Sequence, residues 1–282
     1  MNPWVKRGVA SVAFVSTAAI GGYLAIRSVR TRPIPTLEDA LELADLPVVH
    51  PGGQGMTRRL VEACGIAPDM EVLNVECGAG ESAILLAGSY GVMVTGVDSS
   101  EEAVEEARGK AAASGLETRL SFLQADPHEV PFKAESFDLV FAEFSASALD
   151  KSRALAEWSR VCKRGGCVGV HDVVWLQEPS FEARETAALE LGLEPETVTG
   201  WIEIFKRAGL SRVTGIDASE AWSGYLGAVA SELGFRGFAR TAARLAERYG
   251  ANAARIIPAI VKAELMTLMS ALGYSIVTGW KP

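Results

Sequence analysis

The chain of 282 residues is 49% hydrophobic with a mean hydropathy of +0.17, enough to bury a sizeable core in one large domain or at most two. Its net charge of −8 is unevenly spread: Lys6, Arg7, Arg27, Arg30 and Arg32 make the first 32 residues basic without a single acid, so the rest is more acidic still, and an acidic body without a basic stripe argues against a nucleic-acid partner. The four cysteines, Cys64, Cys77, Cys162 and Cys167, form neither a disulfide framework nor the paired spacing of a zinc site, which fits a reducing compartment and predicts no bound metal.

Residues 8–26 carry no charge and have basic residues on both sides. As a helix rising about 1.5 Å per residue, this span reaches roughly 28 Å, close to the thickness of a hydrocarbon core. Three readings compete: a membrane anchor, a signal peptide cut near Ser16-Thr17-Ala18, and a helix packed on the body. The expectation is an anchor. The cluster Arg27, Arg30 and Arg32 on its C-terminal side then places the body of the chain in the cytoplasm. Thr31 to Pro51 is a proline-rich linker with one short helix over 36–44. Met56, Leu60, Val61 and Cys64 recur at helical spacing, and Gly52-Gly53 before them is either a hinge capping a pocket or a plain glycine loop.

Residues 71–98, EVLNVECGAGESAILLAGSYGVMVTGVD, predict strand, glycine turn, helix and strand. Gly78 and Gly80 let the backbone turn sharply and approach a ligand, with helix N–H groups exposed from Glu81 onward. Asp98 ends the second strand 18 residues after Gly80, a spacing that suits a carboxylate on ribose hydroxyls. The spacing also fits a dinucleotide site. Glu76 and Glu81 weigh against that, because they would repel a pyrophosphate, whereas the sulfonium and ammonium of S-adenosylmethionine are cations.

Ser99 is expected to cap a helix over 100–114 whose Ala103, Val104, Ala107 and Ala111 face one way. A third strand over 120–123 leads to Gln124-Ala125-Asp126, a fourth runs from Phe137 to Glu143, a helix spans 150–163, and GGCVGVHDVVW is a fifth strand. A helix over 198–208, a sixth strand over 211–217 and a closing strand over 273–282 follow. Strands alternating with helices require a doubly wound, mostly parallel α/β sheet, here of seven strands, with its ligand at the carboxyl ends. Between the last two strands, two apolar stripes, one from Trp222 to Leu233 and one from Ile257 to Leu272, form a helical insertion over 218–272, either a substrate lid or ordinary core.

In order, VLNVECGAG, VTGVDSS, LQADPHEVPFKAESFDLVF and KRGGCVGVHD resemble the motifs of class I S-adenosylmethionine-dependent methyltransferases, in the branch with the ubiquinone and menaquinone C-methyltransferases. The resemblance covers residues 56–217 and implies a Rossmann-like methyltransferase fold. It implies that Asp98 binds ribose, that Asp126 binds the adenine amino group, and that Gly78 and Gly80 line the methionine part. Asn74, Glu76, Cys77, Ala79, Ser99, Ala125 and Pro127 complete the expected cofactor contacts. The chain departs from the family at Asn74, where an acid is usual, and at Glu76, where a glycine is. Asn74 lacks the charge that favours an ammonium group; Glu76, two residues on, is expected on the same side of the strand and able to supply it, or else to crowd the pocket.

Methyl transfer is an in-line displacement that needs a base only if the acceptor must lose a proton. Glu143, His171 and Asp172 at the strand ends are the candidate catalytic residues, with His128 on the adenine loop as a further base candidate. The expected function is methyl transfer to a small-molecule, apolar acceptor. The alternative is an inactive cofactor-binding relative serving as a membrane-bound partner.

Overall fold

The computed structural model describes residues 51–188, 193–221 and 271–282, and all of them lie in one compact unit, Val49–Val229 with Ala271–Pro282. The uncharged span at 8–26, the linker helix at 36–44 and nearly all of the helical insertion lie outside the described residues. Among the described residues no helix is long and apolar enough to cross a membrane.

Among the described residues eight strands form a single sheet: β1 (Glu71–Val75), β2 (Met93–Asp98), β3 (Leu120–Gln124), β4 (Phe137–Glu143), β5 (Cys162–Trp175), β6 (Glu196–Thr197), β7 (Ser211–Asp217) and β8 (Leu272–Trp280). Their spatial order is β3-β2-β1-β4-β5-β8-β7, with β6 paired to β5. The first five are mutually parallel, and β8 runs antiparallel between β5 and β7. Because β8 occupies one edge of β5 from Cys167 to Trp175, β6 must lie on the other edge, where it extends the row of β4 past Glu143. This two-residue strand is the addition to the seven expected from sequence.

The helices are α1 (Gly53–Ala63), α2 (Glu81–Tyr90), α3 (Glu101–Ser114), α4 (Lys151–Val161), α5 (Phe181–Thr186) and α6 (Val198–Arg207). Right-handed crossovers oblige the chain to wind outward from β1 to β3 and then back across to β4 and β5. The order therefore reverses between β1 and β4, and the crevice opens at their carboxyl ends.

Strand register assigns the two faces. Leu73, Val75, Val97, Val140, Ala142 and Val170 join one buried cluster with Trp158 of α4 and with Trp201 and Phe205 of α6. The opposite face carries α1, which approaches closely because Gly169 has no side chain: a Cβ there would stand 2.5 Å from the Cys64 sulfur and 3.0 Å from Leu60. The helix expected to begin after Ser99 is capped instead by Ser100, whose hydroxyl accepts the Ala103 N–H at 3.2 Å. Ser99 is engaged elsewhere, since its hydroxyl donates to Glu76 Oε2 at 3.4 Å.

Candidate active site

Gly80 caps α2 at φ 81°, and a Cβ at that position would stand 2.9 Å from Ala107 and 3.0 Å from the Phe122 ring. Gly78, also left-handed at φ 52°, faces open space. The first glycine is required by packing and the second leaves a cradle that a side chain would fill, as close backbone approach to a ligand demands. Asp98 fastens the turn from below: its carboxylate accepts the Gly78 N–H at 2.8 Å and the Ser100 N–H at 2.9 Å. The residue expected on the ribose thus also holds the glycine turn against the start of α3.

Register gathers the remaining groups. Asn74 pairs with Phe141 and with Gly96, so Asp98 and Glu143, each two residues further on, project to the face of Asn74. Glu143 pairs with His171, and His171 with Ile276, which puts Tyr274 on that face too. His171 is fully buried, with Nε2 2.7 Å from Glu143 Oε1 and Nδ1 2.5 Å from Tyr274 Oη. If the carboxylate accepts Nε2–H, the phenol donates to Nδ1, giving a continuous chain from Glu143 through His171 to Tyr274.

Asp172 does not share this face. It is buried on the other side, where its carboxylate accepts the Ser147 N–H at 2.7 Å, the Ser147 hydroxyl at 3.0 Å and the Val173 N–H at 2.7 Å. Burial nonetheless pushes its carboxyl above the usual range. The alternation of β5 that turns His171 toward the crevice turns its neighbour away, so Asp172 stabilises the short helical turn at Ala146–Ala148.

The loop after β3 is tied down from two sides. Asp126 Oδ1 accepts the His128 N–H and lies 2.8 Å from His128 Nδ1, which holds its carboxyl below the ordinary carboxylate range. His128 Nε2 accepts the Asp150 N–H at 3.2 Å, and the Trp158 indole donates to the Pro127 carbonyl at 2.9 Å. Both ring nitrogens of His128 are committed to the scaffold, so its place is to position Asp126 rather than to receive an acceptor's proton. Ala125 follows from the register of β3, its N–H donating to the Asp98 carbonyl at 3.0 Å.

Glu76 departs from the alternation expected of it. The strand ends at Val75 and Glu76 sits at φ 51°, a left-handed conformation that a side chain adopts only at some cost. That backbone angle gives the physical reason why glycine suits the position. Burial, then the Asp98 charge, pushes the Glu76 carboxyl up to about 7. Oε1 of Glu76 and Oδ1 of the buried Asn74 have no hydrogen-bond partner. Cys77 beside them is a buried thiol pushed up to about 12, chiefly by burial, and is no nucleophile at neutral pH. Two orphaned oxygen acceptors, an open glycine cradle and neighbouring carboxylates fit a cationic nucleoside and repel a phosphorylated one.

Residues 72–166 match the family model described as "Methyltransferase domain". An uncharacterised protein of Haemophilus influenzae is 34% identical over 170 residues, which cover 58% of this chain and 68% of that protein. The chain belongs to the class I S-adenosylmethionine-dependent methyltransferases. Methyltransferase GfsG of Streptomyces halstedii is 30% identical over 175 residues, 60% of this chain and 62% of that methyltransferase, so the match spans less than two thirds of its length. Among solved structures, the [4+2]-cyclase SpnF superposes with a TM-score of 0.70 at 24% identity, over 89% of this chain and 98% of the cyclase. The cofactor of the methyltransferase is S-adenosylmethionine. The glycine turn, Asp98 and the Asn74–Glu76 pair are the groups available to hold it.

Sequence reasoning missed Tyr274. It lies 103 residues from His171, and only the antiparallel register of β8 against β5 joins them.

Proposed function

We propose that this methyltransferase transfers the methyl group of S-adenosylmethionine to a small-molecule, apolar acceptor. One observation supports the reading: Asn74, Asp98, Glu143 and His171 project to a single sheet face at the reversal point, so the proposed donor-binding groups share that face with a candidate base. When bound, the donor supplies an electrophilic methyl carbon on a positively charged sulfur. The chain's part is orientation. Asp98 meets the ribose while holding the turn, Gly78 and Gly80 line the methionine part, Asp126 binds the adenine amino group, and Ala79, Ser99, Cys77, Ala125 and Pro127 supply further contacts. On the acceptor side, Glu143, His171 and Tyr274 offer a route by which a proton leaves an acceptor that must lose one. The finer placement beside the ubiquinone and menaquinone C-methyltransferases rests on the motifs VLNVECGAG and LQADPHEVPFKAESFDLVF.

Residues 8–26 are proposed to anchor the protein to a membrane with its catalytic body in the cytoplasm, where an apolar acceptor dissolved in the bilayer would be within reach. The deciding experiment is calorimetric titration with S-adenosylmethionine, followed by transfer of a labelled methyl group to a set of apolar hydroxyl, amine, thiol and activated-carbon acceptors. Donor binding with label in product supports the reading. Donor binding without transfer to any acceptor, and with no turnover in a lipid extract, favours the inactive relative.

A further inference from the structure

We infer that Glu76 is the counter-ion for the α-ammonium group of the methyl donor, with Asn74 as a neutral second acceptor. The inference rests on the methyl-donor reading above and assigns the charge that this chain uses in place of an acid at residue 74.

Asp98 already receives two backbone N–H groups, from Gly78 and Ser100. Asp126 lies exposed on the far loop and holds His128 by two contacts. Asp172 is on the opposite face, bound to Ser147. Glu143 is paired with His171. Among the described residues, Asn74 Oδ1 and Glu76 Oε1 at the end of β1 are buried oxygens lacking any donor, as is the Ser145 hydroxyl two residues past β4, and of the three only Glu76 belongs to an ionisable group. Asn74 and Glu76 stand on either side of Val75, at the carboxyl end of the strand where the sheet order reverses.

An unpaired buried oxygen is costly, and more so on a carboxylate, of which Glu76 has only Oε2 engaged, by the Ser99 hydroxyl. Glu76 also bears the cost of a left-handed backbone at φ 51°. Two unfavourable features in one residue at a ligand crevice are relieved together by a ligand that brings a positive charge with several N–H donors. A primary ammonium has three such donors and no acceptor, so it can satisfy both oxygens at once, with its third N–H left for water. A hydroxyl or amide would leave the carboxylate's charge uncompensated. A phosphate would meet Glu76 and Asp98 with like charge.

The test is titration calorimetry of the full-length protein with two ligands: S-adenosylmethionine, and its analogue carrying hydrogen in place of the α-amino group. Glu76→Gln should weaken S-adenosylmethionine about tenfold or more and leave the analogue within about twofold, the size expected of a lost charge-assisted hydrogen bond. Glu76→Gly, which relieves the left-handed strain, should melt at a higher temperature and show the same selective loss, separating the binding role from a folding defect. Between pH 5.5 and 7.5 the donor's ammonium keeps most of its proton. Wild-type affinity should therefore rise across that range as Glu76 ionises, with Asp98 and Asp126 as the neighbouring charges that hold its proton on. In Glu76→Gln the profile should be flat. Equal weakening of both ligands, or unchanged donor affinity, would overturn the assignment. If wild-type protein binds neither ligand, the methyl-donor reading fails and the inference with it. If it binds both equally and Glu76→Gln changes nothing, that reading stands and the inference alone fails.

Discussion

Asp98 shows how one carboxylate serves two purposes at once. Its two oxygens receive the N–H groups of Gly78 and Ser100, so the proposed ribose contact would be built on a side chain already fixed by the backbone it fixes. Asp98→Ala removes both acceptors and leaves two N–H groups short of partners, which should cost about 2–4 kcal/mol of stability in addition to donor affinity. Asp98→Asn keeps one acceptor oxygen. It should retain most of the fold while weakening donor binding by roughly 1.5–3 kcal/mol, the range for a hydrogen bond to a charged group. Thermal melts paired with titration of both variants check this. Equal loss of binding and unequal loss of stability is the expected pattern, and an unchanged dissociation constant in both would remove Asp98 from the site.

At the level of elements, α4 acts as the strut of the loop after β3, where adenine is proposed to bind. The Trp158 indole donates to the Pro127 carbonyl, and Glu157 accepts the Val130 N–H at 2.9 Å while pairing with Arg160. Trp158→Phe should leave the Pro127 carbonyl without its donor and open a small cavity, at a cost of about 1–3 kcal/mol. Hydrogen exchange should quicken first at the Glu129 and Val130 amides, before the sheet itself loosens. Uniform quickening through β1, β4 and β5 would show that the tryptophan supports the core rather than the loop.

Much of this frame was legible beforehand. Val72-Leu73 and Val94 to Val97 lie in strands buried on both faces, and such strands read as apolar runs closed by glycine or acid. Short elements were not legible. The six residues of α5 and the two of β6 hold too little periodicity to register. Period-two alternation along the expected fifth strand, GGCVGVHDVVW, which runs through both residues, already puts His171 and Asp172 on opposite faces. Alternation failed at Glu76 because the strand stops one residue earlier and the backbone turns left-handed. Pairings such as His171 with Tyr274 depend on which strands become neighbours, a property of topology that local pattern does not contain.

At the scale of the whole molecule, the acidic body and the basic, uncharged-cored first segment call for different surroundings. The full chain should sediment with membranes and resist extraction by high salt, which releases an attachment made by charge alone. A chain starting near Thr36 should remain soluble and still bind the donor, because every proposed cofactor residue lies beyond residue 70. Full-length protein that stays in solution without detergent, or a mature N-terminus near Ala19, would overturn the anchor.

The placement of β8 bears on how the protein is made. It is the last of the described strands, yet it sits inside the sheet, pairing with β5 along nine residues and with β7 on its other side. During synthesis β5 and β7 therefore present open edges until residues 272–280 have left the ribosome. Until then Tyr274 is absent from the side of His171. Pairing across such a sequence separation is slow, and exposed strand edges invite association between chains. Nascent chains of this protein should consequently depend on shielding late in translation, and the crevice becomes complete only as its final strand is inserted.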